Sequence, residues 1–249
     1  LLLSACTGDF LEKQPLDKIP EAELFSNVAL ASAYANSFYT ILEDTYTEAN
    51  PGSISDESWF MFGGSCTRIL ASTFFTPDTF QYFNESGNGG LHNTRITQIN
   101  IWRDAFKGIR YINDFLTKME TSTIADADKK SLMGEAYFFR AWANFELVTL
   151  WGTAPLVDHL LATDEYRQPN STPEALWAIV EADLKEAVGM NALPSKKNMD
   201  DRETGMRVTQ EVAKAYLGKA YLFQKKYPEA AIVLNEVVDS KKYDLFRGD

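Results

Sequence analysis

The chain has few of the residues that build metal centres, disulfide frameworks or hydrolytic sites. Its 249 residues include only two cysteines, Cys6 and Cys66, and two histidines, His92 and His159. No pair of these has the spacing of a metal-ligand set, and the sequence contains neither a phosphate-binding P-loop nor a nucleophile elbow. We therefore expect no metal, no cofactor and no enzymatic activity.

Positive charge and long apolar runs are also scarce. The chain carries 24 Lys and Arg against 35 Asp and Glu, which gives a formal net charge of -11. Binding to a phosphate backbone depends on a basic excess, so nucleic acid is excluded as a partner. No uninterrupted apolar stretch approaches the roughly 18 residues that a membrane-spanning helix requires. Any membrane attachment must use another route.

The first residues supply such a route. Residues 1–6 read LLLSAC, which is typical of the end of an export signal followed by small residues and a cysteine, and which resembles the bacterial lipobox. We interpret residues 1–5 as a remnant of a lipoprotein signal peptide. Residues 6–22 contain glycine and prolines with no helical period, so they are predicted to be a tether lipidated at Cys6. A lipidated Cys6 leaves Cys66 without an intramolecular disulfide partner.

Apolar residues recur at intervals of three and four along most of the remaining chain, which predicts amphipathic helices. The predicted helices cover residues 23–44, 96–120, 126–151, a segment that starts at Pro173, and a final region at 208–239. Residues 126–151 are apolar around most of the circumference, as expected for the central helix of a bundle. Its charged residues Glu135 and Arg140 are assigned to ion pairs with neighbouring helices. Four tryptophans are predicted to pack in the core: Trp102, Trp142, Trp151 and Trp177.

The final region also shows the alternation of small and large residues found in a tetratricopeptide helix pair. Leu217-Gly218-x-x-Tyr221 precedes a Lys-Tyr-Pro turn, and Ala230-x-x-x-Leu234 follows it. Small residues at 218 and 230 allow two antiparallel helices to approach closely. The pattern departs from the repeat at Lys214 and Lys242. The sequence thus predicts an all-α fold, a helical bundle with tetratricopeptide-like helix pairs.

A long aromatic segment without helical period interrupts this bundle at residues 45–94. Its length indicates a functional or disordered loop, and its many aromatic residues favour an ordered one. Within it, the carboxylates of Asp56 and Glu57 come shortly before Trp59 in the sequence. This combination is typical of sugar sites, where the ring stacks on the sugar and carboxylates bind its hydroxyls. We take Asp56, Glu57, Trp59 and Arg68 as candidate ligand-binding residues. Loop aromatics also anchor loops onto their own domain, so packing is the alternative.

One block of the sequence carries a family resemblance. Residues Gly134–Val157 resemble the "EA-x-F-x-RA…YF-x-LV…YGG-x-PLV" block of the SusD-like (RagB/SusD) family of outer-membrane nutrient-binding lipoproteins. Three further segments resemble the family and occur along the chain in the family's order: Asp9–Glu12 behind the lipobox, Trp102–Asn113, and Val208–Leu245. The resemblance spans nearly the whole chain.

The resemblance implies a lipoprotein on the outer membrane of a Bacteroidetes-type bacterium. Such a protein captures a glycan and delivers it to a SusC-like TonB-dependent transporter, without catalysis. Family members are substantially longer, so residues 23–249 are expected to form the N-terminal helical domain, with much of the ligand surface contributed by a C-terminal part. Two alternatives stay open: a tetratricopeptide-type scaffold lipoprotein that binds only proteins, and a lipid-anchored glycoside hydrolase that uses a pair of the many carboxylates.

Overall fold

A computed structural model describes residues 21–41 and 101–244. These residues form helices and no strand; an isolated bridge joins Pro155 to Asn170. The helices are α1 (Glu21–Leu24), α2 (Val28–Asn36), α3 (Ile101–Glu120), α4 (Asp126–Trp151), α5 (Pro173–Gly189), α6 (Gln210–Phe223) and α7 (Tyr227–Ser240), with 3₁₀ turns at Ser37–Tyr39, Thr163–Glu165 and Thr204–Met206. The all-α prediction is confirmed. Of the predicted tether 6–22, residues 6–20 lie outside the described residues, and the prediction for the last two is wrong, because Glu21 and Ala22 belong to α1. The aromatic segment 45–94 also lies outside the described residues.

The prediction of one continuous helix from residue 23 is wrong. Helix α1 ends at Leu24 and α2 starts at Val28. Between them, the side chain of Asn27 accepts a hydrogen bond from the backbone N–H of Ala29 at 2.9 Å and caps α2. An asparagine side chain that bonds to the backbone ends one helix and starts the next. Phe25 remains buried across this break, so the apolar spacing of the sequence does not reveal it.

Helix α4 is the centre of the fold, and its predicted bounds are confirmed. It packs against α2, α3 and α5, and its buried residues lie on every side of the helix. It ends at Gly152, which adopts a φ of +74° and donates its N–H to the carbonyl of Val148 at 3.0 Å. A glycine has no Cβ and adopts such a positive φ at little steric cost, so it can end the helix here.

The four tryptophans divide between the core and the surface. Trp142 is fully buried at the middle of α4. Trp102 and Trp177 are partly buried and pack against the core. The prediction for Trp151 is wrong, because 45% of its surface is exposed, although its ring meets that of Trp102 edge-on at 5.3 Å. Trp151 occupies the last turn of α4, where the neighbouring helices no longer cover it.

Helices α5 and α6 both start at threonine caps. Thr172 accepts a hydrogen bond from the N–H of Ala175, with Pro173 in the first turn of α5 as the sequence predicts. Thr209 accepts one from the N–H of Val212 at the start of α6.

The predicted helix pair is present as α6 and α7, which pack closely together. Ala230 is completely buried between them, and Gly218 faces Leu234. A Cβ atom at position 218 would lie 2.5 Å from two carbons of the Leu234 side chain. The close approach predicted from the small residues is therefore confirmed.

Across the two described ranges, no helix is long and apolar enough to cross a membrane.

The contact at Gly218 predicts that the same substitution at two glycines changes the free energy of unfolding by different amounts. Gly218→Val should lower the free energy of unfolding by about 1–3 kcal/mol, because the new side chain must displace Leu234 in a packed interface. Gly189→Val is the matched control, since nothing lies within 4 Å of a Cβ built at Gly189. Urea denaturation measures both. Equal losses of unfolding free energy in the two variants would show that α6 and α7 do not pack closely at Gly218.

Candidate functional site

The residues that the sequence puts forward for ligand binding lie outside the described ranges. This holds for Asp56, Glu57, Trp59 and Arg68, and also for the lipidation candidate Cys6. They stay predictions. The described residues show the helical scaffold, the charged groups that are already paired within it, and the surfaces that remain open.

The guanidinium of Arg140 lies at the centre of a buried network between three helices. It forms a two-pronged ion pair with Asp183 of α5, with Nε and Nη2 at 2.8 and 2.7 Å from the two carboxylate oxygens. Its Nη1 donates to the side-chain oxygen of Asn113 on α3 and to the backbone carbonyl of Asp158, both at 2.7 Å. The amide of Asn113 donates in turn to the carbonyl of His159 at 2.9 Å.

This network fixes the charge of Arg140 and the position of the loop after α4. Burial alone would lower the pKa of Arg140, but the hydrogen bonds and the charge of Asp183 outweigh it, so that pKa lies above its ordinary value. Every hydrogen-bonding nitrogen of the guanidinium has an acceptor within the protein. The structural assignment of Arg140 is confirmed, and the group is not available to an anionic ligand.

Glu135 anchors a second network on another side of α4. Both of its carboxylate oxygens accept hydrogen bonds from Arg207, at 2.8 and 2.7 Å, and Arg207 also donates to the side chain of Asn36 at 2.8 Å. The hydroxyl of Tyr39 accepts a hydrogen bond from the N–H of Val208 and lies 3.4 Å from Glu135. Burial, together with the nearby charge of Glu135, raises the pKa of Tyr39 to about 12. This network joins α2, α4 and the segment before α6, so Glu135 is structural as predicted.

One concave surface lies between the 3₁₀ turn after α2 and the first half of α3. Its volume is about 360 Å³. It is lined by Tyr34, Ser37, Phe38, Thr40, Ile41, Asp104, Lys107, Gly108 and Tyr111. Ile41 is the last described residue before the segment that contains the candidate ligand residues, and Asp104 lies in the first turn of α3. In the sequence, these two lining residues precede and follow that segment.

A larger groove of about 740 Å³ runs along the outer face of α5 to the turn between α6 and α7. Its lining residues are Pro173, Glu174, Trp177, Ala178, Glu181, Ala182, Lys185, Gln224 and Lys226. Glu181 accepts a hydrogen bond from Lys185 at 2.8 Å and is paired with Lys226 across the groove. Burial raises the pKa of Glu181, but these two amines outweigh it and hold that pKa below its ordinary range.

The sequence assigns Trp177 to packing, and the structure confirms this, because the residue is partly buried against the core. Its ring and that of Phe145 meet edge-on at 5.5 Å, and the residue also lines the groove. The signal that could have indicated the groove is the stripe Glu174, Ala178 and Ala182 on the same helix. Small and charged residues one turn apart leave that face of the helix exposed and with few bulky side chains. The neighbouring indole of Trp177 therefore projects beyond this face.

His159 is paired with acids rather than alone. In an exposed loop it lies 2.8 Å from Asp158 and 3.4 Å from Glu165, and these hydrogen bonds raise its pKa above the ordinary value. The described ranges contain no group of three or more His, Cys, Asp and Glu residues that could hold a metal ion. The other histidine, His92, lies outside those ranges.

Comparison with known proteins links this scaffold to a family. A family model described as "Starch-binding associating with outer membrane" matches residues 9–222. The chain is 23% identical over 230 residues to a SusD-like protein of Bacteroides ovatus, and this alignment covers 89% of the chain and 37% of that protein. It is 24% identical over 115 residues to the SusD-like protein P38 of Formosa agariphila, covering 45% of the chain and 21% of that protein.

Solved structures agree with the sequence match. A laminarin-binding SusD-like protein is similar with a TM-score of 0.61 and 25% identity, over 86% of this chain and 44% of that one. A SusD-like protein from Bacteroides fragilis is similar with a TM-score of 0.63 and 25% identity, over 94% of this chain and 42% of that one. The chain thus spans less than half the length of each of these relatives. Because the family model covers most of the sequence and the helical scaffold matches solved members, this chain belongs to the SusD-like family.

Proposed function

We propose that this protein captures glycans at the outer surface of the cell and passes them to a SusC-like TonB-dependent transporter in the outer membrane. The match of the starch-binding family model over residues 9–222 carries this proposal. The similarity of the helical scaffold to a laminarin-binding protein at 25% identity supports it. The proposal is for a binding protein without catalysis, so release of reducing ends from a glycan by the purified protein would contradict it.

The proposed glycan contacts lie in the aromatic segment 45–94. An indole such as Trp59 offers a flat face to the C–H groups of a sugar ring, while the carboxylates of Asp56 and Glu57 accept hydrogen bonds from hydroxyls. Arg68 supplies donors of fixed geometry. The described part of the chain supports this assignment indirectly, because Glu135 and Arg140 on the central helix are fully used in ion pairs within the scaffold.

The helix pair α6–α7 is proposed to hold the protein against the transporter. Stacked helix pairs form rigid, extended surfaces that suit protein partners. Lys219 and Glu236 are exposed on this pair, as the helical spacing predicts, and Glu236 forms an ion pair with Lys214 at 2.7 Å. The same prediction for Gln224 is only partly right. Its side chain is half-buried and donates to the carbonyl of Ala220 at 3.1 Å.

Trp59→Ala tests the proposed glycan contact. We expect weaker binding to starch or laminarin, by roughly two- to tenfold, because the stacking face is lost, with little change in melting temperature. Isothermal calorimetry and thermal denaturation of the full-length protein measure the two effects. Trp102→Ala is the matched control, since its indole packs against Trp151 and Phe106, and its loss should lower the melting temperature but not the affinity. A lower melting temperature with unaltered affinity in Trp59→Ala would assign that indole to packing instead.

Cys6→Ala tests the lipid anchor. The two cysteines form a natural pair for this experiment, because the proposal gives lipid to Cys6 and none to Cys66. In cells that express the full-length precursor, Cys6→Ala should move the protein from the detergent phase to the aqueous phase, since stable anchoring depends on the attached acyl chains. Cys66→Ala should leave it in the detergent phase. Retention of Cys6→Ala with the membranes would contradict lipidation at this residue.

A further inference from the structure

The groove along α5 is lined by the indole of Trp177, whose position is fixed by packing against two other rings. The ring of Trp177 contacts Phe145 edge-on at 5.5 Å and Phe223 in a tilted arrangement at 6.1 Å. Phe145 is buried in the core, whereas 55% of the surface of Phe223 is exposed. Phe223 also meets Phe145 edge-on at 5.1 Å. Trp177 is thus held by contacts with two rings, one of them buried, and an indole fixed by packing in this way loses little entropy when a ligand binds.

The floor of the groove is low because two alanines occupy it. Ala178 and Ala182 are exposed and lie one helical turn apart on α5. Longer side chains at these positions would fill the space beside Trp177. The volume of about 740 Å³ falls in the range of sites that take a small ligand.

The polar groups of the groove are balanced in charge and fixed in position. Glu174 and Glu181 provide two carboxylates, and Lys185 and Lys226 provide two amines. Glu181 is held between both amines, with Lys185 at 2.8 Å. A groove with no net charge gives no electrostatic preference to an anion or a cation. Its donors and acceptors beside the indole of Trp177 instead match a neutral ligand that has hydroxyl groups on its edges and C–H groups on its faces.

We propose that this groove is a second glycan-binding site, separate from the aromatic segment 45–94, and that it takes two or three units of a neutral oligosaccharide. A sugar ring stacks on Trp177, which lines the groove. Its hydroxyls bond to Glu174, Gln224 and the Glu181–Lys226 pair. This inference rests on the proposed glycan-binding function and adds a contact on the helical scaffold to the one proposed in the loop.

Filling the groove tests the proposal without disturbing the core. Ala178→Arg and Ala182→Arg place a long side chain over the floor at exposed positions. Ala231→Arg is the matched control, because it makes the same change at an exposed position of α7 outside the groove. The probes are maltoheptaose and laminarihexaose, chosen to represent starch and laminarin. Calorimetry of the full-length protein gives the affinity, and thermal denaturation confirms that each variant is folded.

We expect both groove variants to bind one of the two oligosaccharides roughly two- to tenfold more weakly than the wild type, with Ala231→Arg unchanged. Wild-type binding that neither groove variant alters would overturn the second site and leave the proposed function standing. Absence of binding to either oligosaccharide or to the parent polysaccharides by the wild type would overturn both. If the groove variants instead lose the transporter while they keep full affinity for the oligosaccharides, the groove is a protein contact and the proposal is wrong.

Discussion

The described fold depends on one buried charge, the guanidinium of Arg140 at the middle of α4. A charge removed from water is costly unless partners in the protein replace its hydration. Arg140 finds them on three separate parts of the chain: Asp183 of α5, Asn113 of α3, and the carbonyl of Asp158 in the loop after α4. Since a guanidinium binds a carboxylate in a fixed fork geometry, these partners determine how the neighbouring helices are placed along α4.

The ion pair between Glu135 and Arg207 fixes the positions of further described helices in the same way. Arg207 precedes α6 and reaches both α4 and Asn36 at the end of α2, so it ties the first and the later helices to the centre. Tyr39 closes this contact by accepting the N–H of Val208. Together the two networks contain Glu135 and Arg140, the two buried charged residues of α4. What remains open to ligands or partners is the outer surface, and there the groove along α5 and the face of the α6–α7 pair stand out.

The sequence predicts much of this scaffold because its signals are local. The bounds of α4 follow from a long apolar period that ends at Gly152, the start of α5 follows from Thr172 and Pro173, and the contact of α6 with α7 follows from Gly218 and Ala230. Other features depend on tertiary context. The break at Asn27 keeps the apolar residues on the same side, so the spacing alone indicates a continuous helix.

The surface features were harder to predict for a related reason. Apolar spacing places Trp151 and Trp177 on core-facing stripes, but whether a neighbour covers them depends on where each helix ends and how its partners cross. The groove arises from residues on α5 and on the turn before α7, which lie far apart in the sequence. No local pattern joins them. The candidate ligand residues Asp56, Glu57, Trp59 and Arg68 stay predictions from residue chemistry and family resemblance.

We propose that the transporter and the glycan bind different surfaces, the outer face of the α6–α7 pair for the transporter and the aromatic segment and the groove along α5 for the glycan. The most direct test measures both properties on Glu236→Lys, a charge reversal at an exposed position of α7 that lies outside the groove. Co-purification with the transporter and calorimetry with starch and laminarin are the two readouts. We predict that co-purification falls while glycan affinity stays unchanged. Intact co-purification together with reduced glycan affinity would contradict it.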